Sequence, residues 1–128
     1  MKAIQMLPKD YNYLAPDGSE IRLLAEGSHG GLAHCTLPPG KISSAQVHKT
    51  VDEIWYFLSG VGHVWLRSGR QERMVKATPS LSLLIPVGTH FQFRNDGSKP
   101  LCLVIATMPP WPGKAEAVEV PGKWTHQG

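Results

Sequence analysis

Proline and glycine punctuate this chain so often that no long helix can run through it. Eleven prolines and thirteen glycines fall among 128 residues, and no long segment carries apolar residues at helical spacing. Proline removes a backbone donor and glycine admits positive φ, so such a chain reads as short strands joined by turns, an all-β fold. Strands are expected at Ile21 to Glu26, Leu32 to Leu37, His63 to Arg67, Gln71 to Lys76, Leu81 to Ile85 and Pro100 to Met108. Asp17-Gly18, Ser28 to Gly31, Pro38-Pro39-Gly40, Ser68-Gly69-Arg70 and Thr78-Pro79-Ser80 supply the turns. The length suits one domain with a modest core. Its body spans about 21–108, with an extended arm at 1–16 and a proline-rich tail at 109–128.

Charge and composition narrow the function classes. The formal net charge is +3, and the basic residues are scattered, so the footprint of a nucleic-acid binder is missing. No stretch approaches the roughly 20 apolar residues of a membrane span, and the N-terminus lacks a long apolar core. The expected location is the cytoplasm, with neither nucleic acid nor membrane as partner. Cys35 and Cys102 each sit in an apolar run, where a free cysteine behaves as a small hydrophobe.

Residues that carry chemistry concentrate between Gly40 and Gly60. Gln46 and His48 are two apart, so on a strand they share a face. Glu53 stands at an odd offset from His48, and a turn over Lys49 to Asp52 would bring it to the same pocket from an adjacent strand. Trp55 and Phe57 share Glu53's face by the same period. Imidazole, carboxylate and amide oxygen suit a divalent metal with open positions. Equally, Gln46, His48 and Glu53 suit a buried polar cluster satisfied by hydrogen bonds.

A second stretch, Pro86 to Asn95, offers His90. On a regular strand Phe91, Phe93 and Asn95 share one face, while His90, Gln92 and Arg94 share the other. A bulge at Thr89-His90 would re-aim His90 inward. His63 follows a glycine in the strand after Glu53 and belongs either to the pocket or to the surface. His34 reads as a hydrogen-bonded sheet histidine and His29 as a loop residue. In the tail, Trp111 and Trp124 are expected to pin the chain onto the barrel or onto a second subunit, the alternative being a disordered terminus. In the arm, Tyr11, Tyr13 and Leu14 are the expected anchors.

These two stretches resemble the paired motifs of the cupins. The first cupin motif runs glycine, five residues, His-x-His, four residues, Glu, six residues, glycine. Gly40, His48, Glu53 and Gly60 match it, with Gln46 at the first histidine position. The second runs Pro-x-Gly-x-x-His-x-x-x-Asn. Pro86, Gly88 and Asn95 match it, while Phe91 occupies the histidine position and His90 comes one residue early. The resemblance covers roughly Ala33 to Thr107. It implies a double-stranded β-helix of the jelly-roll kind, commonly a homodimer. Cupins of the phosphomannose isomerase type set a precedent for a Gln-x-His pair with Glu and His as metal ligands.

The resulting expectation is a cupin-type small-molecule-binding protein. Gln46, His48, Glu53 and His90 would hold a divalent Zn, Mn, Fe or Ni ion, with Trp55, Phe91 and His63 toward the substrate. The metal would serve an oxygenase or isomerase acting on a small polar metabolite. The alternative is a metal-free, non-catalytic cupin that binds a sugar-like or acidic metabolite. One fold hosts both classes.

Overall fold

The computed structural model describes residues 2–125. In chain order its strands are β1 (Tyr13–Leu14), β2 (Glu20–Glu26), β3 (Gly31–Leu37), β4 (Gln46–His48), β5 (Asp52–Ser59) and β6 (Gly62–Ser68). There follow β7 (Gln71–Ala77), β8 (Ser82–Ile85), β9 (His90–Asn95), β10 (Leu101–Met108) and β11 (Ala117–Glu119). Each strand read from the sequence is present, with ends displaced by a residue or so. Period-two alternation explains how they stack. In β5, Glu53, Trp55 and Phe57 are buried while Ile54, Tyr56 and Leu58 face solvent. In β10, Leu101, Leu103, Ile105 and Thr107 point inward.

Among the described residues the strands form two antiparallel sheets, ordered β1-β2-β3-β10-β5-β8 and β11-β4-β9-β6-β7. Trp55 of the first and Phe93 of the second meet with ring centroids 5.0 Å apart, so the inner faces close on one core. This is the jelly-roll arrangement. Gln46 and Glu53 therefore sit in opposite sheets and face each other across the barrel. The adjacent strands expected from spacing are replaced by a crossing from one sheet to the other.

Two glycines allow the next crossing, from β5 back to β6, to close. Gly60 adopts φ +90°, and a Cβ there would lie 2.6 Å from Pro100 O. At Gly62 a Cβ would run into Arg94 O, against which β6 pairs with β9. Asn95 holds the far end of β9. Its Nδ2 donates to Leu37 O at 2.9 Å and to Lys99 O at 2.8 Å, and its Oδ1 accepts from Gly97 N–H.

The arm is anchored differently from the sequence reading. Tyr11, Tyr13 and Leu14 remain substantially exposed. Polar contacts hold the segment instead: Arg22 Nε donates to Pro8 O at 3.1 Å, and Leu23 N–H donates to Asn12 Oδ1 at 2.8 Å.

The tail passes through a 3-10 turn, Lys114–Glu116, and then pairs as β11 along β4, with Ala117 opposite His48 and Glu119 opposite Gln46. Beyond it, Gln92 Oε1 accepts the N–H groups of Lys123 and Trp124 at 2.9 Å each, while its Nε2 donates to Trp124 O. The Arg94 guanidinium stacks over the Trp124 ring at 4.5 Å. Residues 126–128 lie outside the described part of the tail.

Candidate functional site

The site begins with β4, whose two inward side chains are nearly sealed from solvent. Gln46 is 2% exposed and His48 5%. Gln46 Nε2 donates to Ser44 Oγ at 2.6 Å and reaches toward Pro16 O at 3.5 Å. A carbonyl can only accept, so the amide NH2 points there and Oε1 turns the other way. Gln46 Oε1 and His48 Nδ1 are both buried without a hydrogen-bond partner. Buried acceptors left unpaired are costly, and their occurrence in one wall calls for an occupant that satisfies them.

Glu53 supplies the opposite wall at 6% exposure. Trp55 Nε1–H donates to its Oε1 at 2.9 Å, leaving Oε2 for the cavity. Burial pushes the Glu53 carboxyl up to about 7, and Asp17 and Glu116 add to the rise against the Trp55 hydrogen bond. Burial likewise pushes the His48 imidazole down to about 4, with Glu116 opposing. His48 is thus neutral, with one ring nitrogen's lone pair available for a ligand. Its ring is held edge-on by Phe91 at 5.0 Å and Trp111 at 5.1 Å.

A cavity of about 80 Å³ joins these groups. Gln46, His48, Glu53, Trp55 and Phe91 line it together. Two expected members are elsewhere. No bulge interrupts the start of β9: Phe91 pairs opposite Gln46, and His90 lines a separate surface pocket with Arg67, Gly69 and Pro121. The reason is packing, because Phe91 and Phe93 both join the rings around Trp55 and period two then turns His90 outward. His63 stands opposite Lys76 and Arg94 in register, and its Nδ1 meets Asp96 Oδ2 at 2.5 Å outside the cavity.

Further residues join the cavity wall. Asp17 and Glu26, which the sequence reading did not single out, line it, as do Tyr13 and Trp111, which it gave only as anchors of the arm and tail. Glu116 accepts from Thr50 N–H and Thr50 Oγ1 at 2.6 Å and from Val51 N–H at 2.9 Å. It thereby holds the turn that carries the chain from His48 to Glu53. Burial pushes the Glu116 carboxyl up, but those hydrogen bonds and His48 outweigh it and leave the carboxyl below its ordinary value. Its partners Thr50 and Val51, far away in sequence, give Glu116 its role, so no local signal marks it.

The donors present fit a divalent cation. Among the described residues no group of three His, Cys, Asp or Glu side chains that could hold a metal ion is found, so in any such site Gln46 Oε1 would have to serve as the third donor beside His48 and Glu53. An imidazole, a carboxylate and a neutral amide make a weaker set than one with a second imidazole, and they leave positions open.

A double-stranded β-helix with an internal polar site defines a small-molecule-binding barrel. A family model described as "Cupin domain" matches residues 33–107. An uncharacterized protein of Methanocaldococcus jannaschii, MJ1618, is 32% identical over 104 residues, covering 77% of this chain and 80% of that protein. The chain belongs to the cupin family. Among solved structures it is similar to BH2720 of Bacillus halodurans, at 25% identity and TM-score 0.66, over 77% of this chain and 76% of that one. It also resembles the oxalate decarboxylase of Bacillus subtilis, a protein with Mn(II) centers, at 15% identity and TM-score 0.72. That likeness covers 88% of this chain but 30% of the decarboxylase, and it shows the fold.

Proposed function

We propose that the cavity binds a divalent cation through Gln46 Oε1, His48 and Glu53, and that the protein acts on a small polar metabolite as a metal-dependent oxygenase or isomerase. The observation that carries this reading is the pair of unpartnered buried acceptors, Gln46 Oε1 and His48 Nδ1, in one cavity with the Glu53 carboxylate. When bound, the cation would supply Lewis-acid polarisation of a substrate oxygen. The protein's own groups do the rest. Trp55 fixes one oxygen of Glu53, so the other carries or releases a proton at a defined place. Phe91 and Trp111 hold the His48 ring and exclude water around it. Glu116 sets the turn that positions both β4 and β5.

A second reading is favoured by the lack, among the described residues, of a third His, Cys, Asp or Glu beside His48 and Glu53. In it the pocket is metal-free and holds its ligand by hydrogen bonds and shape alone. Replacing the neutral amide with a stronger donor separates the two. On the metal reading the parent binds Mn2+, and Gln46→His binds it about tenfold or more tightly, since each such factor needs only about 1.4 kcal/mol from the better ligand. Isothermal titration of both proteins reads the difference. A parent that takes up no Mn2+, or a variant no tighter than a binding parent, overturns the assignment of Gln46 as the weak third ligand.

A further inference from the structure

The polar groups of the cavity that still need a partner are gathered at one end. Gln46 Oε1 and His48 Nδ1 are buried without one, and Glu53 faces them from the opposite sheet. Among the described lining residues, the serine and the threonine elsewhere on the wall are already engaged: Ser19 Oγ donates to Asp17 Oδ1 at 2.6 Å and Thr107 Oγ1 to Gly31 O at 3.5 Å. Tyr13 and Glu26 stand at the exposed edge. Away from that end the wall is hydrocarbon. Leu23 of β2, Ala33 of β3, Ile105 of β10 and Trp55 of β5 stand opposite one another in register and form one inward-facing row across four strands. Leu23 and Ala33 pack against the core but are only partly buried, and both line the cavity. Hydrocarbon that faces inward and is still uncovered gains by meeting an apolar occupant. Ala33 is the smallest member of the row, so room lies over it, between Leu23 and Ile105. The cavity's volume of about 80 Å³ is about half of the roughly 150 Å³ that accepts benzene, which suits a body of about four carbons.

We infer that the ligand is an amphipathic alcohol, with one hydroxyl directed at Gln46, His48 and Glu53 and a short hydrocarbon body along Leu23, Ala33 and Ile105. This deepens the proposed reading and rests on the cavity being its ligand site. Gln46 Oε1 only accepts, so the group that reaches it in the metal-free protein must donate, as a hydroxyl does and a carboxylate does not. The same hydroxyl oxygen can take an open position on a bound cation. A sugar-like ligand, expected from sequence as one alternative, fits this wall poorly, because hydroxyls along its length would lie against hydrocarbon without partners.

The test titrates ethanol, 1-butanol and erythritol into the full chain and follows tryptophan fluorescence, since Trp55 and Trp111 both line the cavity. Each probe is run on EDTA-stripped protein and on protein with Mn2+. Butanol is expected to bind about tenfold or more tightly than ethanol in both preparations, because each buried methylene contributes about fourfold. Erythritol, with the carbon count of butanol but a hydroxyl on every carbon, should bind about tenfold more weakly than butanol. Ala33→Leu fills the space over the row and should weaken butanol binding about tenfold. The probe series on the parent decides the question even where that variant does not fold. Equal affinities for ethanol and butanol, erythritol binding as tightly as butanol, or no response to any probe overturns the inference. So does a folded Ala33→Leu that binds butanol as the parent does. Mn2+ uptake without a gain from ethanol to butanol removes the amphipathic ligand and keeps the metal site. That gain in a protein that takes up no Mn2+ does the reverse.

Discussion

Trp55→Ala is expected to destabilise the protein by about 3–5 kcal/mol, the range for truncating a large buried aromatic. The indole is 1% exposed and sits at the junction of the two sheets. Its ring meets Phe57, Phe91 and Phe93 edge-on, with centroids 6.1, 5.6 and 5.0 Å away. Removing it opens a void between strands that cannot collapse without giving up their register. The same change strips Glu53 Oε1 of its donor. Trp55→Phe keeps an aromatic ring between the sheets while losing the hydrogen bond and part of the indole's volume, the hydrogen bond alone costing about 1–3 kcal/mol for a partner of a buried carboxylate. Urea unfolding of parent and both variants reads the ordering. A Trp55→Ala cost below that of Trp55→Phe would contradict the packing assigned to this ring.

Glu53→Gln is expected to stabilise the metal-free protein at alkaline pH and to change little at acid pH. The folded-state value of about 7 lies above the ordinary carboxyl value of 4.5, so between them the native state keeps a proton that the unfolded chain has lost. Stability from this group is present below pH 4.5 and is lost as pH rises through 7. At about 1.4 kcal/mol per pH unit, the advantage of the variant over the parent should grow by about 3 kcal/mol between pH 4.5 and pH 8. The groups facing Glu53 are Asp17, Glu116, Tyr13, Cys35 and the Trp55 N–H. His48 has the opposite sign. Its folded value of about 4 is below 6.5, so its contribution is lost as pH falls from 6.5 toward 4, in parent and variant alike. Comparing the two proteins cancels that slope. Urea midpoints of EDTA-treated samples across this range supply the test, and a variant advantage that shrinks with rising pH would contradict the buried, proton-holding Glu53.

The first motif was legible because its geometry is local. Gln46 and His48 share a face by the two-residue period, and the glycines at 40 and 60 mark where the chain must turn, as the positive φ at both positions shows. The same periodicity placed Trp55 and Phe57 inside. The choice between His90 and Phe91 was not local. It is decided by which ring packs against Trp55 and His48 across the barrel, and those neighbours lie tens of residues away. The tail and arm contributions were hidden for a related reason. Trp111, Asp17 and Tyr13 reach the cavity, and Glu116 the turn beside it, through long-range closure; the sequence marks Trp111 and Tyr13 only as anchors, and nothing adjacent in sequence distinguishes Asp17 and Glu116 from ordinary surface residues. His63 illustrates the converse. Its place after a glycine brought it near the pocket in sequence, but pairing with Asp96 on the outer face leaves it away from the cavity.

The cation site on Gln46, His48 and Glu53 is tested most directly by titrating Mn2+ into EDTA-stripped protein and following the free ion by electron paramagnetic resonance, beside His48→Ala. The parent is expected to take up one ion per chain, and the variant to bind it about a hundredfold more weakly, since one of three protein donors is gone. Equal uptake by both proteins, or none by the parent at millimolar ion, would contradict a metal centre in this barrel.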